Sequence, residues 1–492
     1  MRSDIVFVYP NSIQTHYESD FCITKTEKGE KVLLVSGPDI VAFDGEKVTT
    51  PEKTYKMCPL SLENSLTIRK LFGYTNPVRH KGRKVTVGLG DRLGLASVGH
   101  IRLLRDLDVF PVLAQQSMRE LHLTGRTYED VLSAAVWAVF QEGYTRGFGA
   151  DGDHLKTHDE IKYALDCGFT MITLDCSEFI PNYLDFASQP EINALYSVLS
   201  EDTTKELETL YLKRPVSVDD GVTLRFDEND LKRIVLVYLP ALNHAISVFN
   251  SLIKGREIDF EISIDETLST TSPQAHYFVA NELIRNGVEI TSLAPRFVGE
   301  FQKGIDYRGD ISEFERDFSI HAKIAKRFGY KLSIHSGSDK FSVFPIVAAF
   351  TEGQYHLKTA GTNWLEAVRI IAKCSPGLYR EVHEFALANL AEAKKYYHIT
   401  ENTDNIADLN EISDDRLADY LDKDDARQVL HITYGLILQA ENDDGTTLFK
   451  DRIFNVLNMH ESEYYNELQM HIGRHLTALG VDIATKGINA EI

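Results

Sequence analysis

FEISIDET (Phe260–Thr267) is the stretch that decides the fold. Side chains alternate across a strand, so Glu261, Ser263 and Asp265 share one face while Phe260, Ile262 and Ile264 share the other. In a closed barrel the apolar face packs on surrounding helices and the polar face turns inward. Inward carboxylates are costly to bury unless they are paired or bind a metal. A structural ion-pair network is the plainer account of Glu261 and Asp265, and Glu266 can simply turn the following loop.

Working outward, seven more short apolar segments end in polar residues. They are VTVGLGDR (Val85–Arg92), PVLAQQ (Pro111–Gln116), GADGDH (Gly149–His154), FTMITLDCS (Phe169–Ser177), TSLAPRF (Thr291–Phe297), KLSIHSGSDK (Lys331–Lys340) and YHLKTAGT (Tyr355–Thr362). Amphipathic helical stretches separate most of them. Eight strand–helix units predict an α/β fold, a (β/α)8 TIM-like barrel with its chemistry at the carboxyl ends of the strands. The expected organisation is a small N-terminal layer over 1–80, a catalytic barrel over 81–375 and a helical extension over 376–492. An insert at about 180–255, carrying the turn VDDG (Val218–Gly221), is expected to lie over the barrel mouth as a lid or subdomain.

A formal charge of −21 argues against nucleic acid or an anionic membrane as main partner. No long uninterrupted apolar run and no signal-peptide pattern is read in the sequence. Five scattered cysteines fit reduced thiols, so a cytoplasmic protein is expected. The expected partner is a small molecule, with self-assembly left open.

The strand ends carry the candidate chemistry. In GADGDHLK, Asp153 precedes His154; adjacent side chains diverge, so separate jobs are expected, a ligand for the His and acid–base work for the Asp. Asp151 suits a cap for the helix starting near His158. His335 ends the seventh strand, and His356 and Lys358 share a face of the eighth. Gln302 and Lys303 face the same rim. Histidines and carboxylates converging from separate strands favour a divalent metal, with Zn, Mn, Fe, Co and Ni all suited. Lys340, Lys358 or Arg296 is available to hold an anion. His100, His276 and His321 fall on helices and read as structural; Trp137 and Trp364 read as core.

These strings resemble the tagaturonate epimerase family. The resemblance runs through GDRLG (Gly90–Gly94), FPVLAQQSMRE (Phe110–Glu120), GFGADGDHLK, SIDET, SLAPRFVGEFQKGIDYRGD (Ser292–Asp310), HSGSDKFSVFP (His335–Pro345), HLKTAGTNWLEAVR (His356–Arg369) and HITYG (His431–Gly435). It covers most of the chain beyond residue 80. The family's usual DPS is here DCS (Asp175–Ser177). The resemblance implies a metal-dependent isomerase that interconverts tagaturonate and fructuronate, keto-uronates of hexuronate catabolism. It further implies Asp153 as proton acceptor, Glu261 as proton donor, and His154 and His335 as metal ligands. Gln302 and His356 compete for the remaining ligand position.

The two keto-uronates differ at C4, counting the ketone as C2. That hydrogen is not acidified by the ketone or the carboxylate, so enolisation cannot invert it. The chain has no G-x-G-x-x-G fingerprint for a nicotinamide. Retro-aldol cleavage of C3–C4, rotation of the aldehyde and re-addition remains. Rival readings are a metal-dependent aldolase or isomerase of a sugar phosphate, a neutral-ketose 4-epimerase, and a non-catalytic sugar-acid binder.

Overall fold

The computed structural model describes residues 5–49, 53–219, 221–406 and 408–483. Asp220 of the VDDG turn lies outside them. Eight parallel strands close into a barrel: β1 (Val85–Leu89), β2 (Val109–Ser117), β3 (Gly149–Leu155), β4 (Met171–Asp175), β5 (Asp259–Ile264), β6 (Ser292–Pro295), β7 (Lys331–Ile334) and β8 (Tyr355–Thr359). Closure is made by β8 against β1, with Tyr355 opposite Val85 and Thr359 opposite Leu89. Each strand falls within or overlaps one of the eight segments.

Local chemistry sets the helix starts. Thr127 with Asp130 and Thr157 with Glu160 form capping boxes on the helices Tyr128–Glu142 and His158–Cys167. Thr157, not Asp151, therefore caps the helix at His158. Asp151 is instead fully buried inside the barrel.

Six antiparallel strands between Ile5 and Pro59 form the N-terminal sheet, followed by the helix Leu62–Leu71. The sheet is tied to outer helices by Lys31, which donates to Gln141 at 2.8 Å and pairs with Glu461 at 3.1 Å. Among the described residues, it contributes none to either cavity described below.

The insert supplies a helix to the ring around the barrel. Its helix Glu228–Val248 packs against the helix Pro273–Arg285 and takes the place of the fourth barrel helix. Among the described residues, none of the insert lines the two mouth cavities. By length and composition Glu228–Ile253 is apolar enough to cross a membrane, and half of its most apolar window is buried against the protein. The apolar composition is that of a helix packed on a barrel.

The mouth is completed from the other side. After β8, the helix Gly361–Cys374 leads into a helical extension that includes Asp424–Ile432 and Glu461–Ala478. Tyr397 and His431 of this extension reach the cavity. His100, His276 and His321 are buried in hydrogen bonds: His100 to Asn363 at 3.0 Å, and His276 to His321 at 2.8 Å. Trp137 and Trp364 are core residues.

Candidate active site

The polar face of β5 points inward as its alternation requires. Glu261 is fully buried, and its carboxylate accepts from the Ser292 hydroxyl and from His335 Nε2 at 2.8 Å. The other nitrogen of His335, Nδ1, lies 3.1 Å from Asp265 Oδ1. Ser263 steadies Asp265 from the same face.

Lys358 occupies the centre. Its ammonium lies 2.7 Å from Asp153 Oδ1, 2.9 Å from Asp151 Oδ2 and 3.0 Å from Glu261 Oε1. Three carboxylates around one lysine explain how this many acids are buried together. Burial pushes Asp151 up to about 6 against the pull of Lys358. Burial is the largest influence on Asp153 and Glu261 and works to raise both, but Lys358 together with the neighbouring histidines, His154 beside Asp153 and His335 beside Glu261, outweighs it and both carboxyls sit well below the usual range. Lys358 itself is held well above the usual lysine value, since its carboxylates outweigh burial.

Asp153 and His154 converge instead of diverging. His154 adopts a left-handed backbone, φ +55°, where the β3–β4 pairing shifts register. A non-glycine residue in that conformation is strained, and such strain gathers at functional sites. The kink turns the imidazole back, so that Nδ1 lies 2.7 Å from Asp153 Oδ1. The rings of His154 and His335 stand 4.7 Å apart between centroids.

His154, Asp265 and His335 each offer a ligand atom, all within 4.8 Å of one another. Two imidazoles and one carboxylate suit a divalent transition ion. The remaining two candidates lie elsewhere. Gln302 lines the neighbouring cavity, but its amide oxygen already accepts from Thr400 at 2.9 Å and Gln428 at 2.8 Å. His356 is fully buried, with Nδ1 2.8 Å from the Thr86 hydroxyl, and lines neither cavity. It precedes Lys358 by two residues on the same strand face, which sets it one layer deeper in the barrel. Burial lowers its pKa to about 3.

The cavity is lined by Asp153, His154, Asp265, His335 and Lys358 from the barrel strands and the loops that follow them. Glu261 lies behind His335 and Lys358 and does not reach it. Gln115 also lines the cavity and donates to Asp153 Oδ2 at 3.2 Å. Gly88 makes room for it, because a Cβ there would overlap the Gln115 amide.

Of the three proposed anion contacts, Lys340 is spent on backbone. It is fully buried and donates to the carbonyls of Gln302 at 2.8 Å, Ile305 at 2.5 Å and Ser338 at 2.8 Å. Arg296 lines only the second cavity. The sequence reading did not rank Asp265 among the candidate ligands or Lys358 as the hub. The β5 alternation held the signal for Asp265, and the shared face of His356 and Lys358 held it for the lysine.

A second histidine–carboxylate group, Asp339 with His471 and His475, is buried nearby. Its atoms are already used. Arg427 pairs with Asp339 at 2.6 Å, the Asp339 N–H donates to His475 Nε2 at 2.9 Å, and His475 Nδ1 donates to the His471 carbonyl at 2.9 Å. This group is a clamp on the β7 loop.

A closed (β/α)8 barrel with a buried lysine–carboxylate hub under a polar cavity defines a barrel enzyme. The chain belongs to the tagaturonate epimerase family, whose model matches residues 9–479. It is 40% identical over 478 residues to the tagaturonate/fructuronate epimerase of Thermotoga maritima, with 96% of each chain covered. It is also similar to crystal structures of the fructuronate-tagaturonate epimerase of Cohnella laeviribosi. A form with one glycerol bound is 51% identical, with a TM-score of 0.94 over 97% of each chain. The native form is 50% identical, with the same TM-score over 98% of this chain and 97% of that one.

Proposed function

We propose that this protein interconverts tagaturonate and fructuronate by inversion at C4 through retro-aldol and aldol steps assisted by a divalent metal. The observation that carries the reading is the joint presence, on one cavity wall, of Asp153, Lys358 and the His154–Asp265–His335 group. The family and its named relatives support the substrate pair.

Asp153 is ionised and faces the cavity, so it accepts the C4 hydroxyl proton. The C3–C4 bond then breaks, its electron pair moving toward the C2 carbonyl while C4 becomes an aldehyde. The aldehyde turns, C3 re-adds to its opposite face, and the C4 oxygen regains a proton. Glu261 stands off the cavity wall and is an ionised positioning residue. It acts through Lys358, whose ammonium touches both Glu261 and Asp153 and reaches the cavity. His154, Asp265 and His335 would hold a divalent ion, which would supply Lewis-acid chemistry at the substrate carbonyl.

The same reading keeps the division near residues 80 and 375 and a cytoplasmic setting, the latter motivated by five free cysteines. The test is conversion of tagaturonate deuterated at C4. Fructuronate that retains the label supports the route. Label lost to solvent, or no interconversion under any divalent ion, overturns it.

A further inference from the structure

Most charges in the cavity are matched. Arg92 pairs with Glu120 at 3.1 Å, Lys358 with its three carboxylates, His154 with Asp153 and His335 with Asp265. Two cations are not, and one carboxylate, Glu266, lines the same two cavities and attracts both of them without a direct ion pair. Lys303 donates to the Ser336 hydroxyl at 2.7 Å, and Arg119 lies over the Tyr397 ring at 4.9 Å. Neither has a carboxylate within 4.0 Å among the described residues. The chain holds 73 acidic residues against 52 basic ones. Two cations against the single Glu266 carboxylate leave these mouth cavities an excess of positive charge, which marks a place for an anion from outside.

A further group faces the same cavity. The helix Gly361–Cys374 begins there with Ala360 at its cap and no side-chain cap bond. Its N-terminus presents positive backbone potential. His431 packs on Gly361 so closely that a Cβ on that glycine would overlap the ring. The His431 Nδ1 is buried and has no hydrogen-bond partner among the described residues, with the residue 2% exposed.

We infer that Lys303, Arg119, His431 and the N-terminus of helix Gly361–Cys374 form the anchor for the substrate's carboxylate. This rests on the keto-uronate reading above and deepens it, since it assigns the groups that separate an acid from a neutral ketose. Charge-assisted hydrogen bonds from lysine and arginine reward a carboxylate and leave a hydroxymethyl group without equivalent binding. The anchor also suits the chemistry. With C6 held, the aldehyde turns about C4–C5 without leaving the site.

The test is steady-state kinetics of the full chain on tagaturonate, with D-glycerate and glycerol as competing probes. Lys303→Met should raise KM by about tenfold or more, the scale of a lost charged hydrogen bond, with a much smaller change in kcat. Arg119→Met should raise KM in the same way. Arg119 is exposed on the rim, so this variant keeps the test open if Lys303→Met fails to fold. Glycerate should inhibit the parent protein more tightly than glycerol, and the gap should close in Lys303→Met. Unchanged KM in both variants, an effect confined to kcat, or a KM effect that appears in Arg296→Met instead would overturn the anchor. If the parent protein fails to interconvert the keto-uronates, the epimerase reading fails. The glycerate–glycerol comparison by calorimetry then still judges the anchor.

Discussion

The ammonium of Lys358 stands 2.7 Å from Asp153 Oδ1 at the floor of the cavity, with both groups almost completely buried. Each is the other's condition for being charged there. Asp153 needs the lysine to stay an ionised base, and Lys358 needs its three carboxylates to keep its proton.

Lys358→Met therefore leaves Asp151, Asp153 and Glu261 clustered without their cation. Breaking a buried charge network costs about 3–5 kcal/mol. A lower melting temperature together with loss of keto-uronate conversion is the expected outcome. Lys358→Arg keeps the charge but not the compact geometry, and should recover stability more than activity. A Lys358→Met protein as stable and active as the parent would contradict the hub.

Asp265→Ala removes one of the three proposed ligand atoms while sparing Asp153. The expected result is weaker retention of divalent metal, read by elemental analysis after dialysis against a chelator. Gln302→Ala should retain metal better than Asp265→Ala, because its carbonyl already serves Thr400 and Gln428. The opposite order would return Gln302 to the ligand set.

Acid should weaken the fold through buried neutral histidines. Burial pushes His383 down to about 4, against an ordinary value near 6.5. Between these values the unfolded chain binds the proton and the folded one does not. Stability is thus intact above pH 6.5 and falls as pH drops toward 4, by about 3 kcal/mol for this one group. Thermal melts between pH 4 and pH 7 should show the slope, and His383→Leu should flatten it. An unchanged slope in that variant would assign the acid sensitivity elsewhere.

The barrel was readable because a period of two is a local property. Glu261 and Asp265 declare their face within FEISIDET, and eight such segments count themselves. The joining of Asp153 to His154 was not readable, because it depends on a left-handed backbone at a residue that is not glycine. His356 and Lys358 looked equivalent on one strand face, and only depth along the barrel separates ligand reach from interior packing. Tyr397 and His431 stood in the helical extension, far along the chain from the mouth they complete. The insert after β4 shows a related limit: its apolar helix signals burial without saying against which surface.

The clamp on the β7 loop has a consequence for how the protein is made. His335 is carried by a loop whose Asp339 is gripped by Arg427 and His471, both well beyond the final barrel strand. Synthesis proceeds from the N-terminus, and early segments can fold before later ones exist. A nascent chain that has closed its barrel is still without the grip on that loop and without the His431 wall. In such a chain the mouth is unfinished, and keto-uronate chemistry is expected only once the extension has docked.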